Sequence, residues 1–324
     1  MTTTELADGV RRIVDLATRA PSIHNTQPWR WRVLDDGLEL HADRGRQLTA
    51  ADPGGRNLTL SCGAALQHAL VAAAALGWDA TTDRLPDGTD STLLARITLT
   101  RGTPSENAEV ELGTIRERCT DRRRFTSWPV PDTVLQHLAR AAEHFSTRAI
   151  PLLDVTERFR AEMLIGRAAE LQLADDTIVE EQRSWVEHSP VDGIPTAALP
   201  AERPAMAAGR PSRFASGSLE DHGREIESSD GLIVLCGGHD DPASWLAAGE
   251  GLSALWLAAT AQGLSVVPLS QVVEVPETRD ALTEQVLGGL AHPFILVRIG
   301  WQPISRNHVP RTARRPLEDV LEHA

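Results

Sequence analysis

The chain of 324 residues contains no lysine and no tyrosine, so all 32 of its strongly basic residues are arginine. Without lysine there is no Schiff-base amine and no P-loop ammonium, which excludes pyridoxal-phosphate chemistry and Walker-type NTP hydrolysis. Without tyrosine, dehydrogenases that rely on a phenolic acid are excluded. Codon bias in a GC-rich genome accounts for the missing lysine, and the exclusions hold whatever the cause. Cysteine is scarce: Cys62, Cys119 and Cys236 are scattered and form no C-x-x-C, so three ordinary thiols in a reducing cytoplasm are expected. Positive charge is in deficit. A net charge of −13 argues against a nucleic-acid partner but not against a small anion in a local basic pocket. The polar, acidic start from Met1 to Leu6 does not read as a signal peptide. The longest apolar stretch, Gly251 to Ala261, is too short to span a bilayer, so no membrane association is expected. No G-x-S-x-G and no H-E-x-x-H occurs, and Gly249-Glu-Gly251 lacks the third glycine of a dinucleotide fingerprint. Gly238-His239-Asp240-Asp241 reads as a turn after a strand rather than a metal site.

What is present describes a globular protein: 41% apolar and 24% charged residues, with length for about two domain-sized units. Thr2-x-x-Glu5 opens a helix whose apolar stripe is Leu6, Val10, Ile13, Val14 and Ala17, with Pro21 beyond its end. Trp29 to Ala42 alternates as a hairpin with its turn at Asp35-Asp36-Gly37. A helix is expected from Asn57 to Leu76 with Gly77 as its C-cap, and a strand over Leu93 to Thr100. Thr103-Pro104-Ser105-Glu106 predicts a capping box opening a helix that runs to Arg118. A helix over 131–145 follows, and Asp154-x-x-Glu157 starts a long helical stretch to Val186. Residues 189–223 carry Pro190, Pro195, Pro200, Pro204 and Pro211 and read as a long irregular loop. Gly231 to Cys236 and Phe294 to Gly300 read as strands and Ala248 to Gln262 as a helix. The tail from Ser305 to Arg315 is extended and basic, with a short helix after it.

A weak internal repeat runs through this pattern. A shift of 186 positions places Gly63 to Gly77 on Gly249 to Gly263 with six of fifteen residues identical, a match that alanine richness inflates. Each copy precedes a β-rich strand, Leu94 to Gly102 and Phe294 to Gly300. Two related α+β halves in one chain are therefore expected.

Three segments can carry chemistry. Ala20-Pro21-Ser22-Ile23-His24-Asn25-Thr26-Gln27-Pro28-Trp29 is a rigid polar loop whose donors and acceptors suit a planar heterocycle, although a plain structured turn looks the same. Arg116-Glu-Arg118-Cys-Thr120-Asp-Arg122-Arg123-Arg124-Phe125 can clamp a phosphate or form a solvated basic turn. Arg311-Thr-Ala-Arg314-Arg315-Pro316 is either a basic tail or a chain end folded back onto an anion.

Taken together, these segments resemble the FMN-dependent nitroreductase superfamily, in its duplicated Acg-type branch. The resemblance rests on A-P-S-x-x-N-x-Q-P-W at 20–29, on Arg118-x-Thr120-x-Arg122-Arg123-x-Phe125, on the helix Gly249 to Leu264 and on Arg314-Arg315-Pro316-Leu317-Glu318. It implies an α+β nitroreductase-like fold, with two halves forming an intramolecular pseudodimer of central antiparallel sheets flanked by helices. Residues 1–102 would be the first half and 103–324 the second. One FMN site per chain is implied at their junction, because the A-P-S loop belongs to one half and the arginine segment to the other. Pro21, Ser22, Ile23 and Asn25 would lie against the flavin ring. Arg118, Thr120 and Arg122 would bind phosphate, ribityl or the pyrimidine edge, and Arg311 and Arg314 would complete the phosphate clamp. Ser270 and Gln271 stand where relatives carry Glu-Gly facing the flavin N5. Relatives also place a lysine before the central strand, and the corresponding stretch here, about His222 to Asp230, has none. The implied activity is NAD(P)H-dependent reduction of nitroaromatic or quinone acceptors by a protein that is a monomer acting as a pseudodimer, open to further oligomerisation. The alternative is a flavin store in which loop 189–223 covers the cofactor.

Overall fold

A computed structural model describes residues 3–201, 214, 218–219, 230–302 and 310–322. Thr2, much of loop 189–223, the stretch before Asp230 and the start of the basic tail lie outside these residues.

The order α-β-β-α-β-β occurs twice. In the first run α1 (Thr3–Ala17) leads to the hairpin β1 (Trp29–Leu34) and β2 (Gly37–Ala42), then α2 (Arg56–Ala75), β3 (Trp78–Arg84) and β4 (Leu93–Arg101). α3 (Ala108–Glu117) connects to the second run. There α4 (Asp132–Ala142) and β5 (Arg148–Pro151) come first. Two inserted helices, α5 (Val155–Leu173) and α6 (Asp176–Ser184), precede β6 (Gly231–Gly237). α7 (Pro242–Ala261), β7 (Leu264–Leu269), the short α8 (Gln271–Glu274), α9 (Pro276–Gln285) and β8 (His292–Trp301) complete it. The chain ends in α10 (Leu317–Val320) and β9 (Leu321–Glu322).

The strands form two sheets, ordered β3-β4-β2-β1-β9 and β5-β6-β8-β7. Every pairing is antiparallel except β9, which joins β1 in parallel with Trp31 opposite Leu321. The C-terminal strand therefore returns to the first sheet and carries residues 310–316 past the A-P-S loop.

The stripe of α1 is buried where its spacing predicts. Leu6, Val10, Ile13, Val14 and Ala17 of α1 lie in one core with Trp29 and Trp31. α2 and α7 cross between the sheets, and their glycines set the distance. A Cβ on Gly63 would stand 2.1 Å from the Leu246 carbonyl oxygen, and one on Gly249 would stand 2.0 Å from that of Leu60. The two glycines that the repeat aligns meet each other at this crossing. α2 is also long and apolar enough to cross a membrane by composition, a feature that scanning for uninterrupted apolar runs overlooks; 78% of the relevant window is buried inside the protein.

Four expectations need correction. α3 starts at Ala108, because Gly102 and Ser105 donate their backbone N–H groups to Gly77 and Ala74 and so spend residues 102–105 clasping the end of α2. The stretch 154–186 is two helices: Asp154 caps the first, and Asp175 caps the second by accepting from Thr177 and Ile178. β3, β5 and β7 are strands that the pattern did not reveal. In β3 only Trp78 is buried, so alternation is missing; in β7 Leu264 to Val267 are all buried, so no period shows. Finally, the described part of loop 189–223 is ordered by bridges Val186–Ile194 and Ser189–Asp192 and by a 3-10 turn at Thr196–Ala198.

Candidate functional site

The A-P-S loop joins α1 to β1 and holds an unusual backbone. His24, Asn25 and Gln27 all have positive φ, at 46°, 56° and 49°. Such conformations cost roughly 1 to 3 kcal/mol each and persist where the surroundings over-determine them. Here three remote segments do so. Ser22 Oγ accepts from the Gln27 N–H at 3.0 Å, closing the loop on itself. Arg46 donates to the Thr26 carbonyl at 2.5 Å and also pairs with Asp192. The insert before β6 adds Gly193 O, which accepts from Asn25 Nδ2 at 2.9 Å, and Val191 O, which accepts from Gln27 Nε2 at 2.9 Å. The C-terminal arm adds the Arg315 N–H, which donates to Gln27 Oε1 at 2.9 Å.

Arg314 is the hinge of that arm. It donates to the carbonyls of Thr18 at 2.7 Å and Arg19 at 3.2 Å, and to Asn25 Oδ1 at 3.1 Å. The Asn25 amide is thus committed on both ends. Its position also depends on the Ala313 carbonyl, which accepts from Nδ2 at 3.1 Å.

Arg118, Thr120, Arg311 and Arg314 line one cavity of about 80 Å³ together with Arg19 and Arg116. Among the described residues no carboxylate lines it. Arg118 is buried at the end of α3, donates Nη2 to the Arg19 carbonyl at 3.0 Å, and stacks 4.7 Å over the ring of Trp256 on α7. Its Nε and Nη1, and Nε of Arg19, are buried without a hydrogen-bond partner among the described residues. Burial, with Arg311 nearby, pushes Arg118 down to about 10. Burial, with Arg118, Arg19 and Arg311 nearby, pushes Arg314 down to about 9. A cluster of cations held at that cost, with donors left over, fits a phosphate-sized dianion. His68 on α2 faces the same charges: burial and then Arg118 push it down to about 3, so its ring is neutral, and Nδ1 meets Ser253 Oγ at 2.8 Å.

Two further candidates stand apart from this cavity. Arg122 lies 5.6 Å from the ring of Phe214, which packs edge-on against His24 with ring centroids 5.0 Å apart. That contact brings the arginine segment to the A-P-S loop through an aromatic from the long insert. Ser270 and Gln271 lie at the start of α8, and a chain of hydrogen bonds leads to them. Ile23 N–H donates to Ser61 Oγ, Ser61 donates to Asn57 O, and Asn57 Nδ2 donates to Glu274. Gln172 bridges Glu274 and Gln271. Pro21 is half-buried beside the loop's entry.

Sequence reasoning named Gln27 only as part of the A-P-S motif and missed Arg19, Arg46, Asp192 and His68. Arg19 directly precedes the A-P-S segment and was the one legible signal. The others act only because folding brings residues 27, 46, 192 and 315 to one place.

The fold and this cavity define an α+β protein with an arginine-lined cavity formed by the end of α1, the end of α3 and the C-terminal arm. No protein-family model matches the chain. It is 38% identical over 322 residues to "Putative NAD(P)H nitroreductase Rv3131" of Mycobacterium tuberculosis, covering 98% of this chain and 92% of that one. "Putative NAD(P)H nitroreductase acg" from the same organism is 33% identical over 321 residues, covering 97% and 95%. Among solved structures, an FMN-bound nitroreductase from Bacteroides fragilis covers 64% of this chain and 95% of its own, at 15% identity and a TM-score of 0.40. The chain belongs to the nitroreductase family, in its Acg-type branch.

Proposed function

We propose that the chain is an FMN-dependent oxidoreductase that uses NAD(P)H to reduce small oxidised acceptors of the nitroaromatic or quinone type. In this reading residues 1–102 and 103–324 are the two halves of a pseudodimer, with one FMN between them. The observation that carries it is the arginine cavity, which among the described residues has no carboxylate and holds buried donors without a partner. Arg118, Thr120, Arg311 and Arg314 would hold the phosphate, with Arg19 beside them. Pro21, Ser22 and Ile23 would present the loop backbone to the ring, and Asn25 would anchor the arm that brings Arg314. Arg122 would bring its charge to the pyrimidine edge, where a positive charge offsets the negative charge of the reduced ring. Ser270 and Gln271 would face the opposite, N5, end. When bound, FMN supplies hydride chemistry between donor and acceptor; the chain's own residues bind, orient and shield it.

A second reading is favoured by a specific observation. Residues 191–193 are hydrogen-bonded onto the A-P-S loop, and Arg46 with Asp192 fastens them there. A segment fastened over the flavin ring would make the protein a flavin store. An anaerobic visible spectrum before and after NAD(P)H separates the two. Bleaching of the flavin band by NAD(P)H is expected for the oxidoreductase. A band that ignores NAD(P)H but bleaches with dithionite gives the lead to storage.

A further inference from the structure

Two of the three thiols are sealed inside the protein. Cys62 on α2 and Cys236 on β6 are fully buried in apolar clusters. Burial raises both thiols, that of Cys236 to about 11, and Cys62 donates to the Pro28 carbonyl at 3.2 Å. Cys119 is placed differently. It is part-exposed, directly follows Arg118 at the end of α3, and lines the arginine cavity with Arg116, Arg118, Arg311 and Arg314. Arg118 is only 6% exposed, and its Nε and Nη1 have no hydrogen-bond partner among the described residues, so the wall beside the thiol holds donors for an anion. The nearby carboxylate of Asp121 is taken by Arg123 at 2.7 Å. Thiols react in electropositive, part-exposed settings and are inert in buried apolar ones, which sets Cys119 apart from the other two. Burial lifts the Cys119 thiol, and Arg118 pulls it back. Its thiolate is scarce but strongly nucleophilic, and the surrounding guanidiniums raise the local concentration of an anionic reagent.

We propose that Cys119 is a thiolation site for small anionic disulfides, and that the mixed disulfide and a phosphate in the cavity exclude each other. The inference rests on the reading of this cavity as the flavin phosphate site. The Cys119 thiolate attacks one sulfur of the disulfide. The new S–S bond forms as the old one breaks, and the released thiolate takes up the proton that Cys119 gave up. The small disulfide is the oxidant, and it leaves as one thiol and one protein-bound half. The bound half carries its anionic group to the guanidiniums that the phosphate would use, and a cavity of about 80 Å³ does not hold both. A chain carrying its flavin is thereby protected. A chain without it is marked by oxidation and barred from loading until a thiol reductant removes the adduct.

The test uses the full chain with and without FMN and two disulfide reagents, the dianionic dithiobis(nitrobenzoate) and the neutral dithiodipyridine. Without flavin, one thiol per chain is expected to react, and peptide mass spectrometry should place the adduct at Cys119, with none in Cys119→Ser. With each rate taken relative to that of 2-mercaptoethanol, the dianion should be favoured at least about tenfold, a preference that added salt weakens. Arg116→Ser changes an exposed lining position outside the proposed phosphate ligands. It should slow the dianion several-fold and leave the neutral reagent unaffected. Inorganic phosphate or FMN at about ten times its Kd should slow labelling about tenfold against a chloride control of equal ionic strength. Labelled chain should not take up FMN until dithiothreitol releases the adduct. No reaction, reaction of all three thiols at one rate, equal preference for the two reagents, or labelling that phosphate does not slow overturns the proposal. Failure of the flavin reading alone shows separately, as protection by inorganic phosphate but not by FMN.

Discussion

Arg314 shows how one side chain serves two purposes. Its donors hold the arm to Thr18, Arg19 and Asn25, and its charge faces the cavity beside Arg118. Burial and three neighbouring arginines depress it, so each cation in the cluster makes the next more costly. An anion relieves that repulsion. Arg314→Met is therefore expected to weaken FMN binding by at least about tenfold while affecting riboflavin, which lacks the phosphate, much less. Fluorescence quenching titrations of both flavins measure this. Equal losses for the two would assign Arg314 to holding the loop alone. Asn25 and Gln27 make the complementary point. Their left-handed backbone is held by Ser22 within the loop and by side chains and carbonyls from residues 46, 191–193 and 313–315 that converge on it.

At the scale of elements, the crossing of α2 and α7 joins the two runs. Gly63 and Gly249 let the backbones approach until each glycine meets the other helix's carbonyl. Gly249→Ala places a methyl group 2.0 Å from Leu60 O, so the helices must separate and the packing along them is lost. A cost of about 2 kcal/mol is expected, appearing as a fall in Tm of several degrees. Gly113→Ala on α3 is the control, since nothing lies within 4 Å of its added Cβ and alanine favours helix. If both variants melt alike, the crossing is looser than its geometry indicates. The inserted helices α5 and α6 matter for a different reason. They lead the chain to Trp185, from which residues 186–194 turn onto the A-P-S loop; Ile194 N–H donates to the Trp185 carbonyl at 2.8 Å.

For the molecule as a whole, the two runs of elements are alike in order but unlike in what they contribute. The first supplies the A-P-S loop; the polypeptide after residue 102 supplies the arginine segment, the insert and the arm. A duplicated chain that kept both sets in both halves would bind two flavins. This one has a single A-P-S segment and a single R-x-T-x-R segment, so protein reconstituted with FMN and freed of excess is expected to hold one flavin per chain. The ratio of released flavin absorbance to protein gives the answer, and a value near two would show that a second site exists away from this cavity.

The sequence by itself determined the helices with strong stripes, the hairpin at 29–42, the repeat and the three segments that converge on the site. These follow from local chemistry: period, proline and glycine punctuation, and clusters of like charge. Tertiary structure alone decided that residues 102–105 clasp α2 instead of opening α3, because their hydrogen bonds go to Gly77 and Ala74. It alone decided that Gly63 and Gly249, aligned by a weak repeat, touch. It alone brought Arg19, Arg118 and Arg314 together with no carboxylate between them among the described residues, while Arg46 found Asp192. Whether an arginine is paired or left for a ligand depends on which chain segments meet in space, and β9 returning to β1 is what brings residues 311–315 to the loop at 20–29.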